Sequence, residues 1–235
     1  SQLKEIDSHA FLNCKKLASI TLPNSVTYLG DDDPNSIEGG VFEGCESFTS
    51  FTFPSSYASN NLPSFTFKKC TNLATINWNG YNPKRLNNST FYECKKITWN
   101  QVPQSVEELG DNCFYYCDAL TSVDLSRIKK MDTGVFWHTP LTSVEWPAAV
   151  TEIPARTFWG CGQLTTIKGI PGQPGAWDNI TKIGEDAFNE CTSLTTIKLP
   201  AELKTIDAQA FRSCSNLATV DYGTKVETIG DGAFW

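Results

Sequence analysis

Ala187-Phe188-Asn189-Glu190-Cys191-Thr192-Ser193-Leu194-Thr195-Thr196-Ile197-Lys198-Leu199-Pro200 decides how this chain folds, because the same pattern returns along its whole length. Counting from the phenylalanine, apolar residues fall at Cys191, Leu194, Ile197 and Leu199. Pro200 closes the run, and Leu203 and Ile206 precede the next Ala210-Phe211. The matching phenylalanines are Phe11, Phe42, Phe67, Phe91, Phe114, Phe136, Phe158, Phe188, Phe211 and Phe234. Most of these steps are 22 to 25 residues; those from Phe11 to Phe42 and from Phe158 to Phe188 are longer. A fixed period of this length predicts stacked coils in a solenoid.

The Ile197-x-Leu199 step has the period of a strand, with Thr196 and Lys198 on the opposite face. Pro200 fits its end because it has no amide to continue a ladder. One coil of about 23 residues cannot bury its own apolar side. Ten of them at the ~4.8 Å strand spacing would make a rod on the order of 50 Å long, with columns of Phe, Cys, Leu and Ile as its core. Single copies deviate. Phe48, Phe51 and Phe53 replace aliphatics in the second, and Asn100 stands where isoleucine is expected in the fourth. That asparagine predicts a polar group in the core or a local bend.

The spacing A-F-x-x-C-x-x-L-x-x-I-x-L-P, followed by I-G-x-x-A-F, resembles the BspA-type leucine-rich repeats of bacterial surface proteins, and it does so over essentially the whole chain. The resemblance implies a β-rich, right-handed solenoid of about ten coils with two longer insertions. It also implies an extracellular or cell-surface setting, with recognition of other macromolecules as the work. Leu3-x-x-Ile6 opens and Ala233-Phe234-Trp235 closes the sequence in mid-repeat. Residues 1–235 therefore read as one solenoid domain cut from a longer protein, anchored to a membrane only through flanking regions.

Eight of the nine cysteines, Cys14, Cys45, Cys70, Cys94, Cys117, Cys161, Cys191 and Cys214, occupy one inward slot, with Thr139 in the remaining copy. Unpaired, buried thiols are expected there. Pairing of neighbours such as Cys191 with Cys214 is the alternative, since stacked coils bring Cα atoms within disulfide range. Cys113, directly before Phe114, reads as a further small core residue. No spacing suits zinc.

The net charge of −7 argues against a nucleic-acid partner. The two histidines, His9 and His138, lie in distant copies, and no nucleophile elbow, phosphate loop or H-E-x-x-H motif occurs. Neither an enzyme nor a cofactor nor a metal is expected. Asp31, Asp33 and Asn35 have the alternate spacing of a calcium loop, but no glycine follows at the sixth position, so a solvated insertion is the simpler reading. The second insertion, Gly172 to Asn179, carries Trp177, which either packs back as an anchor or is presented to a partner. Asn87, Asn88 and Asn179 head N-x-S/T triplets, a weak signal.

The position after each phenylalanine is where the copies differ usefully. Four consecutive copies carry Tyr92, Tyr115, Trp137 and Trp159 there, with Tyr116 and His138 adjoining. If the phenylalanine points inward its neighbour leans outward, giving an aromatic ridge suited to protein or glycan recognition. The alternative is that the rings cover the edge of the solenoid. The outward strand positions run Ser19/Thr21, Ser50/Thr52, Thr75/Asn77, Trp99/Gln101, Ser122/Asp124, Ser143/Glu145, Thr166/Lys168, Thr196/Lys198 and Thr219/Asp221. That row reads as a wet sheet face, with Trp99 its one promising exception. The expected function is a monomeric, non-catalytic module that binds a protein or glycan through its side; a structural spacer without a ligand is the alternative.

Overall fold

The computed structural model describes residues 2–33, 35–37, 40–169, 176–221 and 223–235. The chain is a parallel β-solenoid of about nine turns with almost no helix. It divides into two compact units, Ser1–Ala119 and Leu120–Trp235, which are described separately.

In the first unit, strand Ser50–Thr52 pairs in parallel with Thr75–Asn77. A second ladder joins Asn61–Leu62, Arg85–Leu86 and Glu108–Leu109. In the second unit, Ser143–Trp146 pairs with Thr166–Gly169, and Thr196–Lys198 with Thr219–Asp221. Its second ladder runs through Glu152–Ile153, Lys182–Ile183, Thr205–Ile206 and Thr228–Ile229. Every pair matches equivalent positions of successive copies, Ile183 with Ile206 and Ile206 with Ile229, as a stack of like coils requires.

The segment around each phenylalanine bonds to the next coil without being a strand. The amides of Asp186, Phe188 and Glu190 donate to the carbonyls of Ala208, Ala210 and Arg212, at 3.2, 2.7 and 2.9 Å. Asp186 and Glu190 have φ of 56° and 61°, and the same two positions are left-handed in copy after copy. Only some of these residues are glycines, among them Gly44 and Gly160. The others carry the cost of a left-handed L-residue, about 1 kcal/mol each, because the turn aims alternate amides at the next coil.

The glycine of the I-G step has a different cause. A Cβ on Gly184 would lie 2.6 Å from the amide nitrogen of Ala155, and one on Gly230 2.4 Å from that of Ala208. The backbones of successive coils meet there too closely for any side chain.

The expected columns form the core. Phe42, Phe67, Phe91 and Phe114 are fully buried in the first unit, as are Phe136, Phe158 and Phe188 in the second. Neighbouring rings stack, at 5.9 Å between Phe67 and Phe91 and 5.0 Å between Phe188 and Phe211. Each buried ring contributes about 1.5–3 kcal/mol of transfer free energy. Phe51 and Phe53, the departures of the second copy, join Phe42, Phe67, Trp78 and Tyr81 in an aromatic cluster.

All nine cysteines are free thiols, and all but Cys14 are buried. Each buried slot thiol donates to the carbonyl of the preceding copy's phenylalanine: Cys94 to Phe67 at 2.9 Å, Cys117 to Phe91 at 3.1 Å, Cys191 to Phe158 at 3.2 Å. Thr139 turns its hydroxyl to Phe136 in its own coil, 2.8 Å away. Burial pushes the thiols of Cys70, Cys94, Cys117 and Cys191 well above the ordinary range, so the column is a packing device and a poor nucleophile.

The irregular copy bends. Trp99–Gln101 forms a 3₁₀ turn where a strand stands in other copies, and Asn100 is exposed. Gln101 restores part of the lost ladder with its side chain, whose Oε1 accepts the Ile76 amide at 2.9 Å. In the first insertion, the Asp31 and Asp33 carboxylates accept the amides of Asp33 and Asn35, forming local turns. No group of three His, Cys, Asp or Glu side chains able to hold a metal ion occurs among the described residues. Pro34 and Glu38 lie outside them, as do Gly172 to Gly175. Trp177 packs back: its indole N–H donates to the Lys198 carbonyl at 2.9 Å.

Candidate interaction surface

The residue after each phenylalanine is held by three main-chain constraints. Its own amide folds back on the residue three before, as from Trp137 to Gly134 at 3.1 Å and Tyr92 to Ser89 at 3.2 Å. Its carbonyl accepts from the preceding coil, as Tyr115 does from Glu93 and Trp159 from His138, both at 2.7 Å. The phenylalanine before it is locked in the core. Side chains at this position therefore stand in register across adjacent coils.

In the first unit, Tyr92 and Tyr115 stack at 4.3 Å between centroids and 18° between planes. Tyr116 meets Tyr115 edge-on at 4.6 Å. The ammonium of Lys68, from the same position one coil earlier, lies 5.7 Å from the Tyr92 ring and 5.0 Å from Phe65. Glu43, one coil earlier again, holds Lys68 at 3.0 Å. Charge and rings thus run in sequence: carboxylate, ammonium, phenol, phenol. Burial first, and then the hydroxyl contact with Tyr115, push the Tyr92 phenol up; burial does the same to Tyr115. Both are protonated donors at any physiological pH.

In the second unit, Trp137 and Trp159 stack at 4.4 Å and 10°. His138, left-handed at φ 54°, lies 6.2 Å from the Trp137 ring. It needs Gly160, since a Cβ there would fall 2.1 Å from His138 Nδ1. Two coils on, the guanidinium of Arg212 sits 4.6 Å over the Trp235 ring.

All four predicted ring residues are half-buried. The structure brings them together as two pairs, Tyr92 with Tyr115 and Trp137 with Trp159, and each ring gives one face to its neighbour. The outer face of Tyr92 is covered by Lys68 and one side of Tyr115 by Tyr116, so ring edges and polar tips meet solvent in the first unit. Sugar stacking requires open faces; protein contacts do not.

Trp99, expected on the outward face of a strand, belongs to neither pair. The 3₁₀ turn removes the alternation on which that placement rested, and the ring is half-buried, tilted 51° against Phe114 at 5.6 Å. Sequence reasoning missed Lys68 and Arg212, the cations that cover rings at the same repeat position. Their place in the column was visible; their reach over an aromatic face was not.

A family model described as the BspA type leucine rich repeat region matches residues 1–33, 35–165 and 175–235 in six copies. No curated protein matches the sequence. Among solved structures, a leucine-rich repeat protein from Bacteroides ovatus is 26% identical, with a TM-score of 0.72 over 97% of this chain and 57% of its own. A leucine rich cell surface protein from Faecalibacterium prausnitzii is 23% identical, with a TM-score of 0.64 over 95% of this chain and 66% of its own. The chain spans less than two thirds of either. Motif, ladder register and family match agree, and the chain belongs to the BspA type leucine rich repeat family.

Proposed function

We propose that the chain is a non-catalytic interaction module of a surface-exposed bacterial protein, and that its partner is another protein. The observation that carries this is the ring pairing: Tyr92–Tyr115 and Trp137–Trp159 each form a half-buried stack, the first presenting edges and phenol tips and the second ring edges alone, since both indole nitrogens are buried. Tyr and Trp so held give contact area with little rotamer entropy left to lose, the property of interface hot spots. The surface setting is supported by the family and by the likeness to the leucine rich cell surface protein of Faecalibacterium prausnitzii. An adhesin-like role is the specific form of this reading.

The test uses an array of purified secreted and surface proteins printed beside a glycan array. The wild-type chain is expected to bind protein spots. Trp137→Ala/Trp159→Ala and Tyr92→Phe/Tyr115→Phe, the second keeping the stack and removing only the tips, are each expected to weaken that binding. Silence on both arrays from a chain with an intact melting transition would instead support a spacer that holds other domains off the cell envelope. Binding untouched by both variants would remove the ring pairs from the reading.

A further inference from the structure

Strand Ser50–Thr52 pairs with Thr75–Asn77 and, among the described residues, with no other strand. Its other edge faces the first coil, where Ser19 to Leu22 runs alongside without forming a ladder. Adjacent side chains remain close there: Ser47 donates to the Lys15 carbonyl at 2.6 Å, and Cys45 to that of Phe11 at 3.3 Å. The two coils are therefore joined at the phenylalanine side and open at the strand side. A concavity of about 380 Å³ occupies the opening.

Its polar lining residues are Ser19, Thr21, Ser50 and Thr52, which carry hydroxyls, and Asn24 and Asn79, which carry amides. Half-buried Ile20 and the accessible edge of Leu22 supply the apolar part, with the Phe53 ring fully buried beneath. No charged side chain lines it, although the chain carries 45 acidic and basic residues (26 + 19).

The polar groups are free to bind. None of the four hydroxyls has a hydrogen-bond partner among the described residues, whereas those of Ser47, Thr66, Thr90 and Ser105 all bond to main-chain carbonyls. The amides are half used, which fixes their orientation. Asn24 Oδ1 accepts the Ser55 amide at 3.2 Å, leaving its NH₂ group. Asn79 Nδ2 donates to the Phe53 carbonyl at 3.0 Å, leaving its oxygen. The result is a set of hydroxyls that both donate and accept, one oriented donor, one oriented acceptor and an apolar floor.

We propose that this cup binds a neutral saccharide. A sugar presents alternating hydroxyl donors and acceptors around a ring with apolar C–H faces, which matches that inventory group for group. The absence of charge selects against sialylated or sulfated glycans, because an anion there would lose water without gaining a cation. The volume lies in the lower part of the about 300–1,000 Å³ range of small-molecule sites, enough for a compact ligand. An extended peptide would add to the open edge of Ser50–Thr52, but that strand offers only three residues. The cup is remote in sequence from the ring pairs and independent of any protein partner.

The experiment is calorimetric titration of the full chain with glucose, galactose, mannose, N-acetylglucosamine and their disaccharides, alongside sialylated and sulfated counterparts and an unstructured β-prone peptide. At least one neutral sugar is expected to bind, weakly. Ser50→Ala/Thr52→Val keeps strand propensity at two exposed positions, and Asn79→Gly keeps the left-handed backbone (φ 49°). Each is expected to weaken the sugar about tenfold, the first with an unchanged melting temperature and the second with one slightly lowered by loss of the Asn79–Phe53 bond. Failure of every neutral sugar to bind, equal binding by both variants, or binding of the peptide or the anionic glycans alone would overturn the proposal.

Discussion

The indole of Trp137 lies face to face on that of Trp159, 4.4 Å between centroids and 10° between planes. One repeat position in adjacent coils thus becomes a single rigid object, and its optical coupling is measurable. Trp137→Phe and Trp159→Phe are each expected to abolish the same exciton couplet in the far-ultraviolet circular dichroism. Two different residual spectra that sum to the wild type would show that the indoles do not stack.

The eight buried thiols differ from Cys14 in access. Iodoacetamide is expected to label Cys14 rapidly in the native chain and the others only on unfolding. Mass spectrometry after brief labelling reads this directly; early modification of Cys94 or Cys191 would contradict the packing.

The same column makes the fold sensitive to alkali. Burial pushes Cys161 from an ordinary 9.0 up to about 11, with Cys45 and Cys214 raised similarly. A raised acid pKa means that the folded state keeps a proton which the unfolded chain has released. Stability is therefore fully present below about pH 9 and falls as pH rises towards 11, by about 1.4 kcal/mol per pH unit for each fully buried thiol. Denaturant midpoints measured between pH 7 and 10.5 are expected to be flat and then drop. Cys161→Ser should shallow the descent.

Gly184 is required by its neighbour's backbone. With a Cβ only 2.6 Å from the Ala155 nitrogen, Gly184→Ala is expected to cost about 2 kcal/mol, read as a lower melting temperature. Gly162→Ala, whose nearest contact would be the Thr192 hydroxyl at 3.4 Å, serves as the tolerant control.

Gln101 stands in for a missing strand. Gln101→Ala removes the acceptor of the Ile76 amide and is expected to cost about 1 kcal/mol. Hydrogen exchange at Ile76 should accelerate selectively. Uniform acceleration across the neighbouring coils would mean that the side chain holds more than this one bond.

The sequence by itself determined the solenoid and its columns. Phe188, Cys191, Leu194 and Ile197 recur in register, and a coil that cannot bury its own apolar side has one way to do so, against its copies. It therefore also placed the cysteines inside and the Ser/Thr row outside, and it flagged Asn100 as a fault. Only the tertiary structure decided how that fault resolves, since whether Trp99 faces out depends on a ladder that the 3₁₀ turn breaks. The left-handed turns at Asp186 and Glu190 were hidden because inter-coil hydrogen bonds, and not glycine, enforce them. The covered ring faces and the opening beside Ser50–Thr52 arise in the same way. Periodicity fixes which residues are neighbours, whereas the backbone positions of two adjacent coils fix whether those neighbours close on each other or leave room for something else.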